Sequence, residues 1–223
     1  MIWRPAAPPS LHGSDEHSPS GGGRVLGCRR SVMDSGERQS MAELHLTTLR
    51  GCELVIGRYP RFRYDASGGG GPVTVGPREA AGWEPLAFDP STLEIPPLSG
   101  RTTRLLGLPL PPGLAIAIEP QQLQGRWHPG SGAVELQFRS RFLFTVGSLY
   151  RAPDLIVACQ LTTAQVQGRR HRASGRPLSA EGVLRLVGVA TVVPTGDVWL
   201  DRFLGLPEQA LAVLNGRFCQ APP

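Results

Sequence analysis

The densest polar chemistry in the chain is Gly168-Arg169-Arg170-His171-Arg172, continuing through Ala173-Ser174-Gly175 to Arg176. Four guanidinium groups and an imidazole within eight residues can hold phosphate, a lipid headgroup or nucleic acid through charge-assisted hydrogen bonds. No aromatic residue interleaves the cluster, as single-strand nucleic-acid binders require for base stacking. The competing reading is a solvated hairpin loop projecting from one end of a sheet. Arginine is also the chain's general habit: all 23 basic residues are arginine, there is no lysine, and Asn215 is the only asparagine. A GC-rich coding bias produces that pattern, so the net charge of +5 is weak support for an anionic partner.

Ser140 is a second candidate, because it is the one polar residue on an otherwise apolar strand face. It reads either as a hydroxyl bonded to neighbouring backbone or as a polar handle in a cavity lined by Phe138, Phe142 and Trp127. Asp197 and Asp201 have helical i, i+4 spacing, and capping explains Asp197 without catalysis. His12, His17, His45, His128 and His171 form no metal-binding pattern, and Cys28, Cys52, Cys159 and Cys219 contain no CxxC pair. No GxSxG elbow is present, and Ser67-Gly68-Gly69-Gly70-Gly71 lacks the Lys-Ser/Thr of a phosphate loop, so it reads as a flexible loop. No catalytic residue, metal or cofactor is expected.

The elements that must position these residues are strands. Ala133 to Val146 alternates Val134, Leu136, Phe138, Phe142, Phe144 and Val146 against Glu135, Gln137, Arg139, Arg141 and Thr145, the period of a half-buried antiparallel strand. His128-Pro-Gly-Ser-Gly132 separates it from the strand-like runs Leu114–Ile118 and Leu123–Trp127, which predicts a hairpin. Leu155–Val166 and Val183–Val193 follow, the second apolar on both faces and hence expected to be covered on both sides. Glu43–Leu49 and Cys52–Ile56 read as a tight hairpin around Arg50-Gly51. Thr102–Leu108, bracketed by prolines, reads as an extended connector. Thr195-Gly-Asp197 predicts a short helix over Val198–Leu204, and Pro207 a second over Glu208–Leu214. Arg104-Leu-Leu-Gly-Leu-Pro109 is echoed by Arg202-Phe-Leu-Gly-Leu-Pro207, as related helical turns or by coincidence.

With 28 glycines and 22 prolines among 223 residues, long helices are disfavoured. The chain is therefore expected to be mainly β, an antiparallel meander forming a barrel or sandwich with one or two short C-terminal helices. Residues 1–41 read as a disordered tail or an upstream start, 42–219 as one β-rich domain and 220–223 as a tail. No apolar run reaches membrane-span length and no secretory h-region opens the chain, so a soluble, cytoplasmic protein is expected. The leading functional expectation is a non-enzymatic binding protein for a small apolar or lipid-like ligand, or for a protein partner. The alternative is a binder of nucleic acid or an anionic surface through Arg169, Arg170, His171, Arg172 and Arg176. An enzyme whose site is assembled only by the fold is the third reading.

Overall fold

The computed structural model describes residues 43–220. The expected tail at residues 1–41, with Cys28, His12 and His17, lies outside the described residues, as do 221–223.

Short strands come first: β1 (Glu43–Thr48), β2 (Cys52–Ile56), β3 (Phe62–Tyr64), β4 (Gly70–Val75) and β5 (Glu84–Phe88). A 3-10 turn, Pro90–Thr92, leads to β6 (Thr103–Leu105) and β7 (Leu108–Pro109). Then come β8 (Leu114–His128), β9 (Ala133–Val146), β10 (Tyr150–Arg151), β11 (Leu155–Thr162), β12 (Gln165–Gln167) and β13 (Arg172–Ser174). The chain finishes with β14 (Val183–Val192), α1 (Val198–Leu204) and β15 (Glu208–Gln220). The fold is mainly β, as composition and alternation require.

The pairings run β1-β4-β5-β8-β9-β11-β14-β15, all antiparallel, and β15 pairs back onto β1. Eight strands thus close a ring, with β11 and β14 joined through the single register pair Thr162–Val187. The expected hairpin at Arg50-Gly51 does not form. Instead β1 and β2 follow one another along the same edge of β15, with Thr48 opposite Gly216 and Glu53 opposite Val213. Two extra residues are accommodated at the bend, where Gly51 has a φ of +78°. A two-residue hairpin would leave β15 unpaired on that edge, and closure satisfies more backbone groups. From β2 a small side sheet continues through β3, β6 and β7, so the Thr102–Leu108 connector is in part a hairpin.

The second predicted helix is also replaced. Glu208–Leu214 belongs to β15, which pairs with β14 from Glu208–Val192 to Arg217–Val183. Helix propensity at Glu208-Gln209-Ala210-Leu211 is outweighed because each of these residues completes a ladder on β14, and tertiary pairing overrides local preference. The hexapeptide echo likewise resolves into different structures, a β6–β7 hairpin and the end of α1, sharing only a glycine at positive φ. The two runs Leu114–Ile118 and Leu123–Trp127 are one strand with an irregularity between Pro120 and Gln122. The glycine run is not a free loop: Gly70 and Gly71 open β4, and a Cβ on Gly70 would stand 1.8 Å from the Leu46 carbonyl oxygen.

Burial divides the ring into two ends. At the end holding the β8–β9 turn, Leu46, Val73, Leu86, Phe88, Leu123, Val134, Leu136, Leu161, Leu184, Leu186 and Phe218 fill the interior. At the other end α1 folds over the opening, setting Leu200 and Leu204 against Phe144, Leu155 and Val192. Asp197 caps this helix, accepting from the Leu200 amide at 2.7 Å, and Gly205 at φ +68° ends it. Outside the ring, Val166 and Ala173 of the β12–β13 hairpin cover Val187 and Val189 together with Val55, Leu211 and Val213. That explains the doubly apolar reading of β14.

Leu106 and Gly107 form the two-residue turn between β6 and β7, with φ of +52° and +86°. Both signs match a type I′ turn, where asparagine is usual and leucine is strained. Leu106→Asn is expected to raise the stability by about 0.5–1 kcal/mol, seen as a higher urea midpoint at unchanged slope. A lower midpoint would mean that the exposed leucine packs on something.

Candidate functional site

Between the filled end and α1 the ring encloses an apolar hollow of about 270 Å³. Its origin is visible residue by residue on two adjacent strands. Inward positions on β14 run Leu184, Leu186, Gly188, Ala190, and on β15 they run Leu214, Ala212, Ala210 toward α1. The ladder pairs Gly188 with Ala212 and Ala190 with Ala210, so four small residues meet where bulk would be needed to fill the centre. Across from them stand Phe138 and Phe142 of β9 and Leu54 of β2. These three face inward and are nonetheless only partly buried, because their inner surfaces border the hollow.

The wall offers almost no free polar group. The Tyr64 hydroxyl donates to the Pro96 carbonyl, and the Thr48 hydroxyl donates to the Ala66 carbonyl. Tyr59, at the rim, donates to the Phe203 carbonyl of α1. Burial pushes the Cys159 thiol up to about 11, and it raises the Cys52 thiol and the Tyr64 phenol as well. Each of those shifts disfavours charge at the wall, the signature of a low-dielectric interior. Phe203 lines the hollow while 42 % exposed, so beside α1 the wall is one side chain thick.

The structure brings Phe138 and Phe142 onto this wall. Ser140 lies between them in β9 but is fully buried, its hydroxyl donating to the Glu119 carbonyl at 2.6 Å. Trp127 sits toward the filled end, its indole NH donating to Glu84 at 3.1 Å, and is not part of the wall. The residues that create the space, Gly188, Ala190, Ala210 and Ala212, were not among the sequence candidates. The available signal was the alternation of small residues in Gly188-Val-Ala190 and Ala210-Leu-Ala212, but its meaning depends on the two runs being paired in register.

The arginine cluster takes a different form from a loop projecting off the sheet end. Gly168–His171 turns the β12–β13 hairpin and lies along the outside of the ring, where a Cβ on Gly168 would meet Gln209 and Val189. Arg170 pairs with Glu208 at 3.0 Å and Arg169 with the same carboxylate at 3.5 Å. The Gln209 amide, with Arg170 and Arg169 beside it, holds the Glu208 carboxyl below its ordinary value. Arg172 donates to Gln167 at 2.8 Å, while Arg176 meets Arg185 through backbone hydrogen bonds of 2.8 and 3.0 Å. His171 is half-buried. The side chains are engaged severally along the hairpin rather than gathered round one point.

No protein-family model matches the chain, and no curated protein or solved structure does either. The geometry therefore carries the functional argument alone. No helix among the described residues is long and apolar enough to cross a membrane.

Replacing Arg169, Arg170, Arg172 and Arg176 together with serine is expected to alter stability by less than about 1 kcal/mol, since exposed ion pairs contribute little. Oligonucleotide binding is expected to stay at the weak background of any basic protein in both forms. A salt-sensitive affinity in the wild type that vanishes in this variant would reverse that expectation.

Proposed function

We propose that this chain is a non-enzymatic binding protein for a small, uncharged, apolar ligand held inside the ring. The observation that carries this reading is the hollow itself, closed round by strands, lined by hydrocarbon and kept open by four small residues on paired strands. Native interiors are close-packed, and an unfilled apolar space costs stability in proportion to its volume. A ligand that fills it restores the lost contacts. The four small residues Gly188, Ala190, Ala210 and Ala212 are thus a place where filling is left to another molecule.

Ligand class follows from the wall. A carboxylate or amine would lose its hydration with no partner to replace it, a penalty of several kcal/mol. Hydroxyl and phenol groups at the wall are already donating to backbone carbonyls, so selection rests on shape and volume. An engineered cavity of roughly 150 Å³ accommodates benzene; the larger hollow here suits an aromatic of two or three rings or a medium-length hydrocarbon chain. The two thiols on the wall, Cys52 and Cys159, are kept protonated by burial, which favours holding over transforming.

Native mass spectrometry of the freshly purified chain, with titration by the fluorescent probe N-phenyl-1-naphthylamine, tests the reading. Ligand efficiencies for such compounds imply a Kd on the order of 10 μM. Saturable one-to-one binding, or a co-purified apolar molecule released on denaturation, supports the proposal. A protein that carries nothing and leaves the probe dark refutes it.

A further inference from the structure

We infer that the α1 end of the ring docks on the surface of an anionic lipid bilayer. The inference concerns the outer surface at that end and does not rest on what the hollow holds. Scattered apolar residues on a surface need no explanation, whereas a contiguous patch does. The exposed large apolar side chains among the described residues gather at this end. Val193, Val198, Trp199 and Phe203 lie on α1 and the segment leading to it. Leu149 lies on the turn joining β9 to β10, beside Tyr150, whose ring meets Trp199 at 5.0 Å. Leu106 and Leu108 belong to the β6–β7 hairpin. The pairing of Phe62 with Leu105 directs the tip of that hairpin the same way as the Gly57–Pro60 turn. Tyr59 of that turn lies 5.8 Å from Phe203, and Trp199 stacks on Phe203 at 5.1 Å. None of the exposed large apolar residues falls on the loops of the opposite end, 76–83, 129–132 and 175–182.

The shape of the patch selects its occupant. Leu149 is 91 % exposed, Val198 80 % and Leu106 78 %, so these side chains stand clear of the body instead of lining a groove. A folded partner would need a separate pit for each, while the interfacial zone of a bilayer yields round projecting aliphatic and indole groups. Leu106 is held there in a strained conformation that a polar residue would adopt more readily, an outlier pointing toward use rather than stability.

Charge points the same way. Arg58, Arg151 and Arg202 are exposed at this end, and among the described residues none of them forms an ion pair. The acids of the same end are turned onto their own surroundings. Asp197 accepts from the Leu200 amide, Asp201 from the Thr195 and Gly196 amides, and Asp154 pairs with Arg141. The patch therefore presents hydrocarbon edged by free guanidinium groups, the complement of a bilayer with anionic headgroups. Two copies meeting face to face would bring those arginines together.

The test is co-flotation of the full chain with vesicles of phosphatidylcholine alone or mixed equally with phosphatidylglycerol, at low and high salt. Two variants accompany it, Leu149→Ser/Val198→Ser/Trp199→Ser and Arg58→Ser/Arg151→Ser/Arg202→Ser, each altering exposed positions and each checked for folding by circular dichroism. The wild type is expected to float with the anionic vesicles, to do so less at high salt, and to show a blue shift of tryptophan emission. Both variants are expected to lose binding by about tenfold or more. A wild type that stays in the aqueous fraction with anionic vesicles at low salt overturns the inference. So do folded variants that float as the wild type does. Self-association that the Leu149→Ser/Val198→Ser/Trp199→Ser variant abolishes, without lipid binding, assigns the patch to a second copy and equally overturns it.

Discussion

Ala212→Phe is expected to abolish binding of N-phenyl-1-naphthylamine, weakening it at least about tenfold, while the chain still folds. Ala212 faces inward from β15, opposite Gly188 on β14, at the level where the interior changes from filled to empty. A phenyl group there occupies volume that the ligand would use. In a close-packed core the same change forces neighbours off their rotamers at a cost of about 1–3 kcal/mol. Here the ring enters existing space and gains apolar contacts, so the melting temperature should move by only a few degrees in either direction. Thr191→Phe, on the exposed face of β14, is the control and should bind the probe as the wild type does. Probe affinity unchanged by Ala212→Phe would place the ligand outside the ring.

The second large effect separates the two ends by stability. Leu186 is fully buried among large neighbours at the filled end. Leu186→Ala removes its methyl groups and leaves a void, at about 2–5 kcal/mol. For a domain of this size that is a fall in Tm of roughly 5–20 °C, a large share of an ordinary stability of about 5–15 kcal/mol. Phe142→Ala deletes more atoms, yet Phe142 already borders empty space on one side and makes fewer contacts to lose. Its Tm should fall less than that of Leu186→Ala. The reverse order in a calorimeter would show that the interior round Phe142 is packed, and the hollow would have no place in solution.

What could be read from the chain followed its local periodicities. Alternation over Ala133–Val146 gave β9 with its bounds, and the Asp197 cap ahead of Val198–Leu204 gave α1, because strands and capped helices are written in neighbouring residues. Glu208–Leu214 misled for the same reason. Pro207 and a run of good helix formers describe the segment alone, whereas its state is decided by β14 and β2 on either side. The hollow was illegible for a related reason. Gly188, Ala190, Ala210 and Ala212 are ordinary small residues until register sets them face to face, and register between strands is a property of the pair. Ser140 stood out in one dimension as the sole polar residue on an apolar face, and in three it serves the backbone of β8.

The closing of the ring by β1 on β15 has a consequence for the order of events during synthesis. Leu44 lies opposite Gln220 and Thr48 opposite Gly216, so the earliest strand of the described chain finds its partner in the last. Contacts so distant in sequence form slowly, since the whole intervening chain must be organised before they are rewarded. On the ribosome β1 and β2 must therefore wait with one edge bare until β15 has emerged, although β8 and β9 can already have joined through their short turn. The sheet stays open along that edge for as long as β15 is missing, and only its arrival on β1 makes a ring.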